Sequence, residues 1–279
     1  MESHDLWIFK HVAELQSVSK AAEKLGYVQP NVSQRVKGLE DELGVKLFMR
    51  NNRGVTLTEE GKVLLEYTHQ IILLMDEAKS LVNPTKWRES LTIGASQTIS
   101  AVKVPQLFSS FLREYKNIDV KIRTNDQGKL QEMLTYGELD GVFINGTSND
   151  SQFETVYSYF EKLVLISPNN SQYEKQQKHT LIVNSDKNCI YRKKTLDFFK
   201  EDLSILEFDS LESILQAVHD GLGISIIPAD VANSRKKIQS IKYKELSEII
   251  KIDFIIKHRK QHSQSLKKFI DFIQRTSLY

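Results

Sequence analysis

The sequence predicts a multidomain protein of α+β and α/β class, with a helical N-terminal block, one long helix and a C-terminal α/β block. Its 279 residues correspond to about two domains at roughly 150 residues each. Apolar residues recur at helical spacing up to about residue 82. From Leu91 onward, short β-branched runs alternate with helical patterns, which is typical of an α/β sheet.

Composition excludes several classes of protein. The chain is 40% hydrophobic and 27% charged, with 12 Gly and 5 Pro, which excludes a disordered or collagen-like chain. The single cysteine, Cys189, excludes a disulfide scaffold and suits a reducing compartment. No signal peptide is recognisable, and the longest aliphatic run, residues 71–75, is far shorter than the roughly 20 residues that span a bilayer. We therefore expect a cytoplasmic protein with no membrane partner.

The overall charge gives no indication of a nucleic-acid partner. Lys and Arg number 38 against 36 Asp and Glu, for a formal charge of +2. The first 60 residues hold eight basic and nine acidic side chains. Any DNA-binding surface must therefore come from the placement of basic side chains rather than from their number.

The N-terminal block has the pattern of three short helices. An apolar stripe predicts a first helix over residues 3–15. Ser19 is the candidate N-cap of a second helix that ends at Gly26. Pro30 suits the first position of a third helix that ends at Gly44. The residues that this third helix is expected to bury are Val32, Val36, Leu39 and Leu43.

The second and third helices, joined by a turn of about four residues, form a helix-turn-helix. Residues 46–48 and 54–57 predict the two strands of a wing, in which Arg50 and Arg53 suit phosphate or minor-groove contacts. On the exposed face of the third helix lie side chains able to hydrogen-bond base edges or phosphates. These are Asn31, Ser33, Gln34, Arg35 and Lys37. Spacing alone leaves a helical hairpin with an ordinary solvated face as the alternative.

One long helix is predicted from Thr58 to Val82, and residues 83–85 interrupt it. Along this helix two series of residues each recur every seven positions. Taken together, the two series have an average spacing of 3.5 residues. The two series are Leu64, Ile71 and Ala78, and Tyr67, Leu74 and Leu81. This pattern is expected of a dimer seam, and equally of a helix packed on its own domain.

The C-terminal block reads as two βαβ groups, with short strands expected at 163–167 and at 252–257, where the chain returns to the first group. Ligands of open α/β sheets bind outside the carboxyl ends of the strands. The candidate pocket residues at those ends are Ser96, Gln97, Thr98, Asn125, Gln127, Asn145, Asn188, Cys189, Arg192 and Ser210. Arg192 is expected to pair with a ligand carboxylate. The alternative is that Ser96, Asn125 and Ser210 only cap helices and that Arg192 is a surface residue.

No motif indicates catalysis, a metal or a cofactor. A nucleophile elbow, a Walker loop, a dinucleotide fingerprint and a His-Glu-x-x-His sequence are all absent. Cys189 lies beside Lys187, Arg192 and Lys193, which would lower the pKa of a redox-sensing thiol. An ordinary pocket or core residue is the alternative interpretation. We therefore expect that the protein is not an enzyme.

Several segments closely resemble the LysR-type transcriptional regulators. The resemblance is ungapped over about 60 residues, and Gly221–Pro228 resembles the closing motif of the family's effector domain. The N-terminal segments are Ser19–Leu25, Gln29–Val36, Leu39–Arg50 and Arg53–Gly61. The chain departs from the family at residues 16–18, where many members carry a Gly-Ser-Phe type of segment. It also departs at Tyr27-Val28, where a small polar residue usually precedes Gln-Pro.

The resemblance implies a domain organisation. A winged helix-turn-helix would occupy residues 1–58, a linker and dimerisation helix 59–84, and a hinge 85–90. A periplasmic-binding-protein-like effector domain of two α/β subdomains would follow. Its first subdomain would comprise 91–161 and 248–279, and its second 162–247.

The resemblance also implies contacts and partners. Gln29, Pro30, Ser33 and Arg35 match the family's usual DNA contact positions, and Ser19 is a further DNA-binding candidate. The implied partners are double-stranded promoter DNA, an unidentified small-molecule effector, further copies of the chain in a dimer or tetramer, and RNA polymerase. The alternative function is a small-molecule-binding or enzymatic α/β protein whose helical adaptor domain does not read DNA.

Overall fold

The structure is a computed structural model. It describes residues 1–51, 54–83, 86–101, 103–146, 148, 150–169, 180–199, 203–234, 241–258 and 262–276. These residues group into two compact units, Met1–Glu89 with Thr135–Glu138, and Ser90–Leu134 with Leu139–Tyr279. Among the helices of these ranges, none combines the length and the apolar character needed to cross a membrane.

The N-terminal unit consists of three short helices, a two-stranded antiparallel wing and a long helix. In chain order they are α1 (Ser3–Leu15), α2 (Val18–Leu25), α3 (Gln29–Leu43), β1 (Phe48–Asn51), β2 (Gly54–Leu57) and α4 (Glu59–Val82). Two buried apolar clusters hold these elements together. One is formed by Ile8, Val12, Ala21, Ala22, Val32 and Val55, and the other by Phe9, Ala13, Leu39, Leu47 and Leu65. Each large side chain buried in this way contributes about 1.5–3 kcal/mol to stability.

Three local expectations for this unit are wrong. The N-cap of α2 is Ser17, whose hydroxyl accepts a hydrogen bond from the Lys20 N–H at 3.3 Å, so that Ser19 lies exposed within the first turn. Leu43 is 39% exposed, because the last turn of α3 extends beyond the core. The first wing strand begins at Phe48 rather than at residue 46, because the backbone N–H groups of residues 47 and 48 bind a side chain of α3.

The C-terminal unit is an α/β structure. In chain order its elements are β3 (Glu89–Ala95), α5 (Gln97–Ser100), α6 (Lys103–Glu114), β4 (Ile118–Thr124), α7 (Gln127–Thr135), β5 (Gly141–Asn145), β6 (Phe153–Pro168), β7 (Thr180–Asn184), α8 (Ile190–Phe198), β8 (Ser204–Phe208), α9 (Leu211–His219), β9 (Ser225–Pro228), α10 (Ala229–Ser234), β10 (Ile241–Lys257) and α11 (Gln264–Thr276). The largest core cluster packs α6 and α11 against the sheet, and Phe108, Phe111, Phe254 and Phe269 form its aromatic centre.

Two long antiparallel strands join the two βαβ groups. The strands β6 and β10 pair from Phe153 opposite Lys257 to Pro168 opposite Ile241, with register shifts between Glu245 and Ile249 and between Phe254 and Ile255. The described strands form a six-stranded sheet in the order β4-β3-β5-β10-β6-β9, in which β3 and β5 run parallel. A parallel pair, β7 and β8, adjoins β9 through a bridge between Leu181 and Ile224. The carboxyl ends of β3, β4, β5, β7 and β8 are followed by polar loops.

Both long strands exceed their expected lengths. Runs at 163–167 and 252–257 were expected, whereas β6 has 16 residues and β10 has 17. The unexpected halves are only partly buried, and polar residues interrupt their apolar residues, so that no continuous apolar run forms.

Candidate functional site

The third helix presents most of the candidate base-reading residues to solvent. Val32 and Leu39 are 0% and 2% exposed, and their burial fixes how the helix is rotated on its domain. Gly26 and Gly44, with φ of 72° and 71°, end the second and third helices in left-handed conformations that glycine favours. The exposed residues are Gln29, Pro30, Asn31, Gln34, Arg35 and Lys37, whereas Ser33 is half-buried.

One hydrogen bond orders the start of this exposed face. The Gln29 side-chain amide donates to the Ser33 hydroxyl at 2.8 Å, one turn further along the helix. Both residues are among the predicted DNA contacts.

The far end of α3 is fastened to the wing by the buried carboxylate of Glu40. This carboxylate accepts hydrogen bonds from the N–H groups of Leu47 at 3.0 Å and Phe48 at 3.3 Å, and from the Lys46 ammonium at 2.7 Å. Burial raises the pKa of Glu40, but these three donors outweigh burial and hold the pKa below its ordinary value. Glu40 therefore sets how the wing is placed relative to the third helix.

Arg35 is engaged by the start of α1. Its Nη1 donates to Asp5 Oδ1 at 3.0 Å and lies 3.7 Å from Glu2 Oε2. The Arg35 side chain is 50% exposed, whereas that of Asp5 is 16% exposed. Neither acidic residue was among the candidates, because their distance of 30 or more positions in sequence gave no signal of this contact.

A groove of about 480 Å³ lies beside Arg35. Tyr27, one of the departures from the family pattern, donates or accepts a hydrogen bond with His4 Nε2 at 3.1 Å across this groove. The lining residues are His4, Ile8, Tyr27, Asn31, Val32, Gln34 and Arg35. In the wing, Arg50 is exposed on β1, and Arg53 lies outside the described residues.

The two series of the long helix have different surroundings. Leu64 packs partly against the core cluster of Phe9 and Leu65, and Ile71 is half-buried. The side chains of the other series are more exposed, namely Tyr67 (58%), Leu74 (56%) and Leu81 (67%). The domain itself therefore explains part of the first series and leaves the second as an apolar stripe on the surface.

A cleft of about 300 Å³ in the C-terminal unit collects eight of the ten candidate effector residues. These eight are Ser96, Gln97, Thr98, Asn125, Gln127, Asn145, Asn188 and Cys189. Among the described residues, six more line the cleft, namely Thr124, Asp126, Asn184, Ser185, Asp186 and Asp209. All of them follow or end strands β3, β4, β5, β7 and β8, so the same strand-end signal pointed to the residues that were missed.

Arg192 and Ser210 are not part of this lining. Arg192 donates to the Asn184 carbonyl at 2.7 Å and forms an ion pair with Glu207 at 2.6 Å, and its side chain is 11% exposed. It therefore ties β7 to β8 and is not free to pair with a ligand carboxylate. Ser210 caps α9 by accepting the Ser213 N–H at 3.1 Å.

The lining of the cleft is rich in hydrogen-bond acceptors. It includes three carboxylates, those of Asp126, Asp186 and Asp209, and no Lys or Arg among the described residues. Asn145 donates its backbone N–H to Gln127 Oε1 at 3.1 Å, whereas its buried Oδ1 has no partner within the described ranges. Two of these carboxylates also accept hydrogen bonds from the backbone. Asp126 Oδ1 accepts the Lys129 N–H, and Asp186 Oδ1 accepts the Asn188 N–H.

Cys189 lies at the start of α8 and is half-buried. Burial raises the pKa of its thiol, and Asp186 acts in the same direction. A reactive thiolate would need the pKa to be lowered. The structure therefore favours the interpretation of Cys189 as an ordinary pocket residue.

Two family models match the chain. The model described as "Bacterial regulatory helix-turn-helix protein, lysR family" matches residues 3–62, and the model described as "LysR substrate binding domain" matches residues 85–277. The chain belongs to the LysR family of transcriptional regulators. As a LysR-type regulator it is a DNA-binding protein with an effector-binding domain, and the predicted fold class is confirmed.

Curated relatives match this LysR-type regulator along nearly its whole length. The HTH-type transcriptional regulator YusT of Bacillus subtilis (strain 168) is 37% identical, over 97% of this chain and 95% of its own. The HTH-type transcriptional regulator CzcR of Bacillus thuringiensis (strain Al Hakam) is 33% identical, over 98% of this chain and 94% of its own. Both relatives are named as regulators of transcription.

Solved structures share the fold of this LysR-type regulator at low sequence identity. A full-length variant of OxyR from Pseudomonas aeruginosa has a TM-score of 0.74 at 23% identity and covers 98% of this chain and 95% of its own. LysG from Corynebacterium glutamicum, with bound effector Arg, has a TM-score of 0.69 at 19% identity and covers 100% of this chain and 98% of its own. CbnR complexed with its target DNA has a TM-score of 0.66 at 22% identity and covers 99% of this chain and 100% of its own.

Proposed function

We propose that this LysR-type regulator binds promoter DNA as a dimer or tetramer through the third helix and the wing, and that a small molecule in the acceptor-rich cleft changes transcription. The observation that carries the DNA-binding surface is the exposed polar side of α3, fixed by the burial of Val32 and Leu39. CbnR, which shares the fold, is a protein complexed with its target DNA. The residues we propose to contact DNA are Ser19, Gln29, Pro30, Asn31, Ser33, Gln34, Arg35, Lys37, Arg50 and Arg53.

The exposed stripe of α4 is the proposed dimer seam, built around Tyr67, Leu74 and Leu81. Large apolar side chains left exposed at heptad spacing are stabilised when a second helix covers them. In a dimer the two recognition helices would read a palindromic operator with half-sites about one helical turn apart, or a multiple of that distance. RNA polymerase is the partner through which bound regulator would change transcription in the cytoplasm.

For the effector, the lining supports a molecule that carries hydrogen-bond donors, such as an ammonium or guanidinium group. Three carboxylates and the unpartnered Asn145 Oδ1 offer acceptors, and Arg192 is occupied elsewhere. A plain carboxylate would find no cationic partner among the described lining residues. LysG, which shares the fold, carries arginine as its bound effector.

The decisive experiment compares substitutions in the two sites of the full-length regulator. Genome-wide mapping of bound DNA first supplies a promoter, and its neighbouring genes suggest candidate effectors. We expect Arg35→Ala to weaken binding to that promoter by at least about a hundredfold, because each of the two half-sites loses a base contact. We expect Thr98→Ala to keep the affinity for DNA and to weaken the transcriptional response to the effector.

Ser96→Ala is a second cleft variant, but Ser96 also caps α5, so it carries an additional stability cost of about 1 kcal/mol. Equal loss of DNA binding in all three variants would contradict this division of labour. Absence of any bound DNA for the wild type at low salt would instead favour the adaptor alternative.

A further inference from the structure

The geometry points to Asp5 as a positioning residue that orients the guanidinium of Arg35 toward a guanine base edge in the major groove. This inference rests on the proposed DNA-binding role of α3. It adds a specificity-determining residue outside the helix-turn-helix itself, in the first helix of the chain.

The Asp5 carboxylate is held on both sides. Its Oδ1 accepts the Arg35 Nη1 hydrogen bond at 3.0 Å, and its Oδ2 accepts the backbone N–H of Glu2 at 3.3 Å. Asp5 stands in the first turn of α1, and α1 is anchored in the core by Ile8 and Val12, which are 2% and 0% exposed. The carboxylate is therefore a rigid support, whereas Arg35 alone would be a flexible exposed side chain.

The contact leaves the reading edge of Arg35 available. A guanidinium has five N–H donors in one plane, and a bidentate pair with guanine O6 and N7 uses two of them. Within the described ranges, the hydrogen bond to Asp5 is the one that Arg35 makes. Fixing the plane of the guanidinium before DNA arrives favours the geometrically strict base contact.

The same contact disfavours a phosphate role for Arg35. Asp5 at 3.0 Å and Glu2 at 3.7 Å place two negative charges beside the guanidinium. A phosphate approaching Arg35 is repelled by both carboxylates, whereas a neutral base edge is not. The pair therefore shifts Arg35 from sequence-independent attraction toward direct readout.

The test is selection of bound duplexes from a random-sequence library, using full-length wild type and the variants Arg35→Ala, Asp5→Ala and Asp5→Asn. The selected sequences give the relative affinity for each base at each position of a half-site. Asp41→Asn is the matched control, because it removes an equal charge from an exposed position on α3. Thermal unfolding of each variant monitors the fold, since Asp5 also accepts the backbone N–H of Glu2 just before α1.

We expect Arg35→Ala to reduce the preference for guanine at one position of each half-site by roughly ten- to a hundred-fold. Asp5→Ala should reduce the preference at the same position by at least about threefold and leave the other positions unchanged. Asp5→Asn should lie between Asp5→Ala and wild type, because its amide oxygen still accepts a hydrogen bond. Asp41→Asn should keep the wild-type preference.

Two outcomes would overturn the inference while the proposed function survives. In the first, Asp5→Ala keeps the wild-type base preference although Arg35→Ala loses it. In the second, Asp5→Ala and Asp41→Asn both tighten binding to all sequences equally, so that Asp5 only lowers the local charge. If Arg35→Ala itself keeps the wild-type preference, the proposed base-reading role of Arg35 fails, and the inference fails with it.

Discussion

Gly61 occupies a sterically restricted position in the N-terminal unit. Its N–H binds the Thr58 hydroxyl at 2.9 Å at the start of α4, and a Cβ built on it would lie 2.1 Å from the Leu47 carbonyl oxygen. That neighbour is backbone and cannot move aside without shifting the entry to the wing. The requirement here is space rather than a left-handed conformation.

Gly61→Ala is therefore expected to lower the free energy of unfolding by about 2–3 kcal/mol through overpacking. Gly38→Ala is the matched control, because Gly38 is also helical and a Cβ there would meet nothing within 4 Å. Replacing a helical glycine by alanine at such an open site should stabilise by up to about 1 kcal/mol. Urea unfolding of both variants measures the difference, and equal stabilities would contradict the structure.

Glu40 should give the N-terminal unit a measurable dependence of stability on pH. Its pKa in the folded state is lowered, because the donors from Lys46, Leu47 and Phe48 outweigh the effect of burial. Its contribution is therefore fully present above the ordinary carboxyl pKa of 4.5 and is lost as the pH falls through the lower folded value. Protonation would loosen the connection between α3 and the wing.

We expect Glu40→Gln to be less stable than wild type by about 1–3 kcal/mol at pH 7, with a gap that narrows below about pH 4.5. Glu23→Gln, at an exposed position of α2, is the control and should follow wild type at every pH. Chemical unfolding at a series of pH values provides the measurement. A constant gap between Glu40→Gln and wild type would show that the charge of Glu40 is not what matters.

Individual residues also show what sequence can predict. Strand-end position alone identified eight of the cleft residues, because the carboxyl ends of neighbouring strands meet wherever such a sheet forms. The same rule placed Arg192 among them wrongly, because whether a side chain turns toward a ligand or toward Glu207 depends on contacts distant in sequence. The contact of Asp5 with Arg35 was not predicted for the same reason, because the two residues are 30 positions apart in sequence.

At the scale of elements, helices were predictable and long strands were not. The first helix has the expected bounds, and the third ends at the expected glycine, because periodicity, Pro30 and Gly44 are local signals. The full extents of β6 and β10 depend on their pairing with each other across more than 70 intervening residues. Half-buried strands of that kind carry only a weak apolar signal.

The exposed stripe of α4 supports a prediction about assembly. Leu74 lies in the middle of the stripe and is 56% exposed, so a charge at this position should leave the fold of a single chain intact. Leu74→Glu is expected to weaken dimerisation by at least about a hundredfold, because both copies would lose a buried leucine and gain facing charges. Leu74→Ala should have a smaller effect.

Sedimentation of the full-length chain over a range of concentrations measures the dimerisation of both variants, and circular dichroism monitors their folding. A dimer of wild-type strength in Leu74→Glu would place the interface elsewhere on the molecule.

At the scale of the whole molecule, charge and dimerisation both affect how selectively the protein binds DNA. The net charge of +2, together with the acidic excess among the first 60 residues, provides little general attraction to DNA. Arg35 is partly neutralised by Asp5 and Glu2, which leaves Lys37, Arg50 and Arg53 as the phosphate-binding candidates of each chain. Specificity should therefore come from two half-sites read together.

We expect wild type to bind random duplex DNA weakly, with a slope of log affinity against log salt no steeper than about −5 for six phosphate contacts in a dimer. A duplex with both selected half-sites should be bound far more tightly than one with a single half-site, because the two contributions to the binding free energy add. Leu74→Glu should lose this advantage and bind random DNA about as well as one wild-type protomer. Titrations of labelled full-site, half-site and random duplexes at several salt concentrations measure these differences.

Equal affinity of wild type for full-site and half-site duplexes would mean that one protomer reads DNA alone. A much steeper slope on random DNA would mean that charge rather than paired reading drives binding.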